Sequence, residues 1–148
     1  MQEPVSKRPP DHLFSLVTDQ WTEPYWSAAA AHRLVAPRCA ECGKFRMPPT
    51  PFCPNCRSQR IDWVQLSGEG TVYSYSVVAV PIFPEMADSV PYITAVVELA
   101  DAGGVRLISN IVEAPLSSVH VGAPVRVVFD DISDGVTIPR FRLAEPPA

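Results

Sequence analysis

C-A-E-C-G-K-F-R-M-P-P-T-P-F-C-P-N-C, residues 39–56, holds all four cysteines of the 148-residue chain, as two C-x-x-C pairs separated by ten residues. A C-x-x-C turn aims two sulfurs at one point. Two such turns supply the four thiolates of a tetrahedral site, which suits zinc in geometry and softness. Gly43 follows the first pair, where such a turn often needs a positive φ, and Pro54 stiffens the second. The spacing predicts that Cys39, Cys42, Cys53 and Cys56 ligate zinc, one ion per chain. Four protein ligands leave no position for water or substrate, so the metal is expected to be structural and zinc hydrolase chemistry is excluded. Such a ribbon folds because it binds metal, and its function lies on its surface or in what it is joined to. Two disulfides would suit a secreted chain, but M-Q-E-P-V-S-K-R-P-P-D at the start has no apolar signal core. The cytoplasm is the expected compartment.

Outward from the cysteines, the charge is split. The net charge is −4, yet residues 33–60 hold six basic groups against one acid, giving +5. Residues 61–148 hold four against eleven, giving −7. A zinc tetrathiolate carries a further −2. A small basic module therefore adjoins an acidic one, and a long positive track for nucleic acid is missing. Hydrophobic residues make up 47% of the chain, enough for a core, while 17 prolines favour strands and loops over long helices. No apolar run approaches the roughly 20 residues of a membrane span.

Residues 1–33 read as a loose, proline-rich tail followed by a helical segment in two pieces, one starting near Thr18 and one from Glu23 to His32. Thr22 is placed to cap the second piece, and four alanines favour it. Trp21, Tyr25 and Trp26 either fold back onto the protein's own core or dock into a partner. Residues 34–66 read as a rubredoxin-like ribbon. Its two strands are 34–38 and 44–47, and a third at 60–66 leads into the next module. Residues 67–148 read as all strand. The long first strand has Tyr73, Tyr75 and Val77 on one face, and further strands lie at 92–99, 105–112, 124–130 and 136–143. Five strands with a reduced element between the third and fourth match a five-stranded OB-fold barrel. The expected class is mainly β: an N-terminal helix, a zinc ribbon and a C-terminal OB-fold.

This order resembles the acyl-CoA-associated zinc-ribbon/OB-fold family, long filed as a domain of unknown function, from about Tyr25 to Phe141. The resemblance rests on five marks in sequence: G-E-G-T-V-Y-S-Y at 68–75, V-P-Y-I at 90–93, V-V-E-L at 96–99, G-A-P-V-R-V at 122–127 and D-G-V-T-I-P-R-F at 134–141. It implies a non-catalytic accessory subunit. Its partners would be thiolase-like enzymes, including lipid-transfer-protein-type thiolases and retro-aldolases, with hydratases beside some members. The OB-fold would hold the partner and shape the acyl-CoA entrance, in steroid or fatty acyl-CoA degradation. By analogy with dimeric thiolases the assembly would be a hetero-oligomer with two copies of this chain.

The alternative is an OB-fold and zinc-ribbon protein that binds nucleic acid, which the −7 barrel disfavours through repulsion of phosphate. Independent catalysis finds no support either. His12, His32 and His120 have no serine or carboxylate at a suggestive spacing, and no cysteine is spare. Asp130, Asp131 and Asp134 read as a solvated turn. Arg38, Lys44, Arg46, Arg57 and Arg60 are candidates to meet the phosphates of coenzyme A, or else to neutralise the dianionic zinc site. The loop at 81–91, with Ile82, Phe83 and Met86, is an apolar protrusion that lines an acyl channel, touches a partner, or caps the barrel.

Overall fold

The computed structural model describes residues 2–132 and 135–144. The turn expected at Ser133 and Asp134 lies outside the described residues. Helix α1 (Glu23–Ala30) leads to strand β1 (Val35–Cys39), the cysteine segment and β2 (Ile61–Gln65). Strands β3 (Glu69–Val78), β4 (Tyr92–Leu99), β5 (Arg106–Ile111), β6 (Pro124–Asp131) and β7 (Thr137–Leu143) follow. The last five close into a barrel in the order β3-β4-β5-β7-β6, with β3 and β6 paired at the seam. All barrel pairings are antiparallel except β5 with β7, and that combination is the OB-fold.

The ribbon departs from the expected pairing. Strand β1 does not pair with residues 44–47, which contribute only an isolated bridge between Arg38 and Phe45. Its partner is β2, in antiparallel register from Val35 opposite Gln65 to Cys39 opposite Ile61. The prolines at 48, 49 and 51 explain the difference, because they lack the N–H that a continued second strand would donate. The alternating segment 61–65 supplies it instead.

Only the second helical piece forms. The carboxylate of Asp19 accepts the N–H groups of Trp21 and Thr22, both at 2.9 Å, and so closes a turn ahead of α1. Thr22 sits at the N-cap but its side chain caps nothing; its hydroxyl bonds Asp19 instead. Residues 4–8 are not a loose tail. Val5 forms a bridge with Pro115, Ser6 is buried, and Lys7 N–H donates to Pro91 O at 2.9 Å. Arg8 then bonds Glu113 at 2.7 Å.

The strict alternation expected along the first barrel strand is broken at Tyr73. The β3–β4 register jumps between Val72 and Ser74, a bulge that leaves Tyr73 half exposed beneath the Arg106 guanidinium, 3.7 Å from the ring centroid. Val72 points inward, and Tyr75 packs partly against the core. The loop after β3 contains a 3₁₀ turn (Pro84–Ser89) that buries Met86, so the exposed apolar protrusion is reduced to Val80, Ile82 and Phe83.

Phe141, Ile93, Ile111, Val72, Val97 and Val125 fill the barrel. The same apolar cluster takes in Leu34, Ala36 and Leu66, and Phe45 and Met47 of the cysteine segment pack against it. A Cβ at Gly103, in the β4–β5 hairpin, would lie 3.3 Å from the Phe45 ring, so the hairpin is pressed directly against the cysteine segment. One apolar core thus runs from the ribbon into the barrel.

Candidate metal centre and partner surfaces

The two C-x-x-C turns share one backbone design. In the first, Cys39 N–H donates to Lys44 O at 2.8 Å and Gly43 N–H to Cys39 O at 2.9 Å. In the second, Cys53 N–H donates to Ser58 O and Arg57 N–H to Cys53 O, both at 2.8 Å. The residue four beyond the first cysteine has positive φ in each turn, +77° at Gly43 and +66° at Arg57. The motif announces the first of these and hides the second, because a non-glycine residue occupies it.

The sulfurs of Cys39, Cys42, Cys53 and Cys56 all lie within 4.8 Å of one another, and none is in a disulfide. The pairs Cys39–Cys56 and Cys42–Cys53 are 3.5 and 3.6 Å apart, close to the edge of about 3.8 Å in a tetrahedron with Zn–S bonds of about 2.3 Å. Backbone N–H groups of Cys56 and then Asn55 pull the Cys53 thiol down, while the Cys56 thiol, against the pull of the Ser58 N–H, is pushed up by the neighbouring cysteines, as four sulfurs crowded together share out negative charge until a metal neutralises it. Cys39 and Cys53 are buried, while Cys42 and Cys56 face solvent. The donor set, its spacing and its burial fit a structural zinc ion.

The five basic residues of the ribbon differ in exposure and in partners. Lys44 and Arg57 are exposed. Arg38 lies over the Phe45 ring at 5.9 Å, and Arg60 is ion-paired to Glu41. Arg46 is buried, with Nη1 donating to Ser58 O at 3.0 Å, and therefore offers nothing to an external phosphate.

The aromatic residues also divide. Tyr25 packs against the core, and its burial pushes the hydroxyl's pKa up. Trp26 stands edge-on to it at 5.0 Å and lines a groove of about 380 Å³ with Phe14, Leu16, Ile132 and Ile138. Trp21 is half-buried. Phe83 is 53% exposed on the loop after β3.

One pairing was invisible in the sequence. His32 Nε2 lies 2.9 and 3.0 Å from the two oxygens of Asp131, 99 residues away, and its ring stacks on Phe129 with centroids 5.1 Å apart. Thr137 Oγ1 donates to the same carboxylate at 2.6 Å. The hydrogen bonds of Thr137 and then His32 hold Asp131 below the usual carboxylate range. No sequence spacing announces this partner of His32, which lies 99 residues away. Its signal is tertiary, since only the fold brings the end of α1 to the β6–β7 turn.

A ribbon with four convergent thiols, seated on an OB-fold barrel through a shared core, defines the class. Family models agree: the rubredoxin-like zinc ribbon domain of ChsH2 matches residues 26–62, and the C-terminal OB-fold domain of ChsH2 matches residues 63–130. A DUF35 domain-containing scaffold protein of Methanothermobacter thermautotrophicus is 34% identical, over 70% of this chain and 76% of the relative. A chain of the solved Ltp2-ChsH2(DUF35) aldolase is 36% identical, with a TM-score of 0.79 over 87% of this chain and 98% of that one. A probable enoyl-CoA hydratase alpha subunit of Thermomonospora curvata is 40% identical over 82% of this chain, which spans only 37% of that relative. The chain belongs to the ChsH2/DUF35 family of zinc-ribbon and OB-fold proteins. No helix among the described residues is long and apolar enough to cross a membrane.

Proposed function

We propose that the chain is a non-catalytic accessory subunit that binds a thiolase-like or retro-aldolase enzyme and helps form its acyl-CoA site, in steroid or fatty acyl-CoA breakdown in the cytoplasm. The observation that carries this reading is the match to nearly the whole of one chain of the Ltp2-ChsH2(DUF35) aldolase. The hydratase relative supports the same setting, since there a segment like this one is part of a longer chain described as a probable enoyl-CoA hydratase alpha subunit. One zinc ion per chain, held by Cys39, Cys42, Cys53 and Cys56, keeps the ribbon folded and leaves the metal no catalytic position.

Two surfaces divide the work. Trp26 with its groove, together with Phe83, meets the partner enzyme. Half-buried Trp21 is assigned to the same contact, and Tyr25, packed on the core edge-on to Trp26, supports it. The exposed ribbon cations Lys44 and Arg57, flanked by Arg38 and Arg60, meet the phosphates of coenzyme A. The backbone at Arg57 supports its part in this. A non-glycine residue at positive φ costs about 1–2 kcal/mol, and the exposed side chain there makes no ion pair among the described residues, so it is free to meet a ligand. Two copies of this chain on a dimeric partner give a closed hetero-oligomer.

The deciding experiment is purification of the tagged protein from its own cells, followed by mass spectrometry and light scattering. Recovery in equal amounts of a thiolase-like, aldolase or hydratase subunit supports the proposal. Recovery of nucleic acid, lost on nuclease treatment, overturns it. Within a recovered complex, K44E/R57E is expected to weaken CoA-thioester binding at least tenfold, and unchanged affinity removes the phosphate role.

A further inference from the structure

Arg46 is the least comfortable residue in the protein. It is 4% exposed, yet Nε and Nη2 are buried without a hydrogen-bond partner among the described residues. A guanidinium does not lose its proton in proteins, and a buried charge is costly unless an anion answers it. Neither carboxylate of the ribbon serves the purpose. Arg60 holds Glu41, Asp62 is exposed on β2, and neither bonds Nε or Nη2 of Arg46. Arg46 is nevertheless tied firmly in place. Its backbone N–H donates to Pro37 O, two residues before Cys39, and its Nη1 donates to Ser58 O, two residues after Cys56, each at 3.0 Å. Ser58 O also accepts the N–H of Cys53 at 2.8 Å. The side chain therefore reaches from the first cysteine turn to the backbone that shapes the second.

We propose that Arg46 is the internal counter-cation of the zinc–thiolate centre, a positioning residue that raises metal affinity and quiets the sulfurs. This rests on the zinc reading above. Four thiolates with one Zn²⁺ carry −2, and that is the anion the buried guanidinium lacks. The unused N–H edge of Arg46 answers it through its field, with no direct bond to a sulfur. Of the five basic residues that the sequence offers for neutralising the site, the fold buries this one. Without metal the cation is left uncompensated, so loading the ribbon and satisfying Arg46 are one event.

The test uses the full-length protein as wild type, R46M and R46K. Wild type is expected to carry one zinc. R46M, similar in shape but uncharged, is expected to bind zinc 10–100-fold more weakly in a chelator competition, the range typical of lost outer-sphere partners. Its thiols should alkylate faster. In the cobalt-loaded protein its sulfur-to-cobalt charge-transfer band should move to longer wavelength, because uncompensated thiolates give up charge more easily. R46K should recover most of the affinity. If R46M holds zinc within about twofold of wild type with an unmoved cobalt band, Arg46 only fills space and the proposal fails. Should R46M not fold, the Arg46 Nε–H resonance of wild type decides. It is expected to shift when cadmium replaces zinc, and a resonance blind to the metal overturns the idea. A wild type that carries no zinc sinks the zinc reading itself, a distinct result.

Discussion

Phe141 shows how much one side chain can hold. It is fully buried, lies opposite Ile111 on one side and Val127 on the other, and its carbonyl accepts Val112 N–H at 2.8 Å. It thus joins the one parallel contact of the barrel to the antiparallel β6–β7 pair. Phe141→Ala is expected to cost about 3–5 kcal/mol by chemical denaturation, with Phe141→Leu far milder. Arg57 argues in the other direction. Its φ of +66° suits glycine, so Arg57→Gly should stabilise the zinc-loaded protein by about 1 kcal/mol while weakening CoA-thioester binding by the complex. A variant that loses stability would mean that the side chain holds the second turn together, contrary to the proposed surface role. The four cysteines were legible because their chemistry is carried by spacing alone. The demand for positive φ at position 57 was not, because the residue there gives no sign of it. The separate fates of Arg46 and Lys44, two residues apart, were equally hidden, since burial is decided by the fold.

At the scale of elements, the N-terminal strap is the clearest case of composition misleading. Its prolines and charges read as a loose tail, but the backbone of residues 4–7 is bonded across to Ala114, Glu113, Leu116 and Pro91. Arg8 then reaches both Glu113 and Asp130, which Arg142 and Arg140 also engage. Such long-range pairing leaves no local period to read. Removing residues 2–9 should destabilise the protein by about 3 kcal/mol, from several net backbone hydrogen bonds of about 1 kcal/mol each. The strap and the His32–Asp131 pair after α1, called the α1 latch, also set the acid behaviour. Arg8 holds Glu113 below its ordinary 4.5, and Thr137 with His32 holds Asp131 below its ordinary 3.8. Folded pKa values below the unfolded ones mean that the unfolded chain binds more protons. The stabilisation is therefore complete above about pH 4.5 and is lost as pH falls through the folded values. Melting temperature should be level from pH 7 to 5 and drop below pH 4.5, with a shallower drop in D131N. An identical acid limb in D131N would show that the α1 latch contributes nothing. The barrel strands, by contrast, were legible to within a residue or two, because turn residues and alternation mark their ends. The ribbon pairing was not, because three prolines silence the strand that the motif suggests.

The whole molecule behaves as one unit if its core is one. Leu34, Ala36 and Leu66 belong to the same buried cluster as Val72, Ile93 and Phe141, and Gly103 of the barrel touches Phe45 beside the first cysteine turn. A ribbon that unfolds on losing metal would strip that cover from the barrel and expose its apolar end. Zinc binding to such sites contributes of order 10 kcal/mol at neutral pH, far more than a ribbon of this size gains from burial, so chelation should unfold the ribbon. The consequence for the barrel separates two architectures. With a shared core, chelator should lower the melting temperature of the barrel by several degrees, read in the near-ultraviolet signal of Tyr75 and Tyr92, and wild type should melt in one transition. With independent modules, chelator would abolish a ribbon transition and leave the barrel midpoint where it was. The shared-core outcome would also explain why a structural metal, remote from any chemistry of its own, matters to the proposed docking role. By fixing one end of the barrel, the ribbon would hold the Trp26 groove and the Phe83 loop in the positions proposed for a partner.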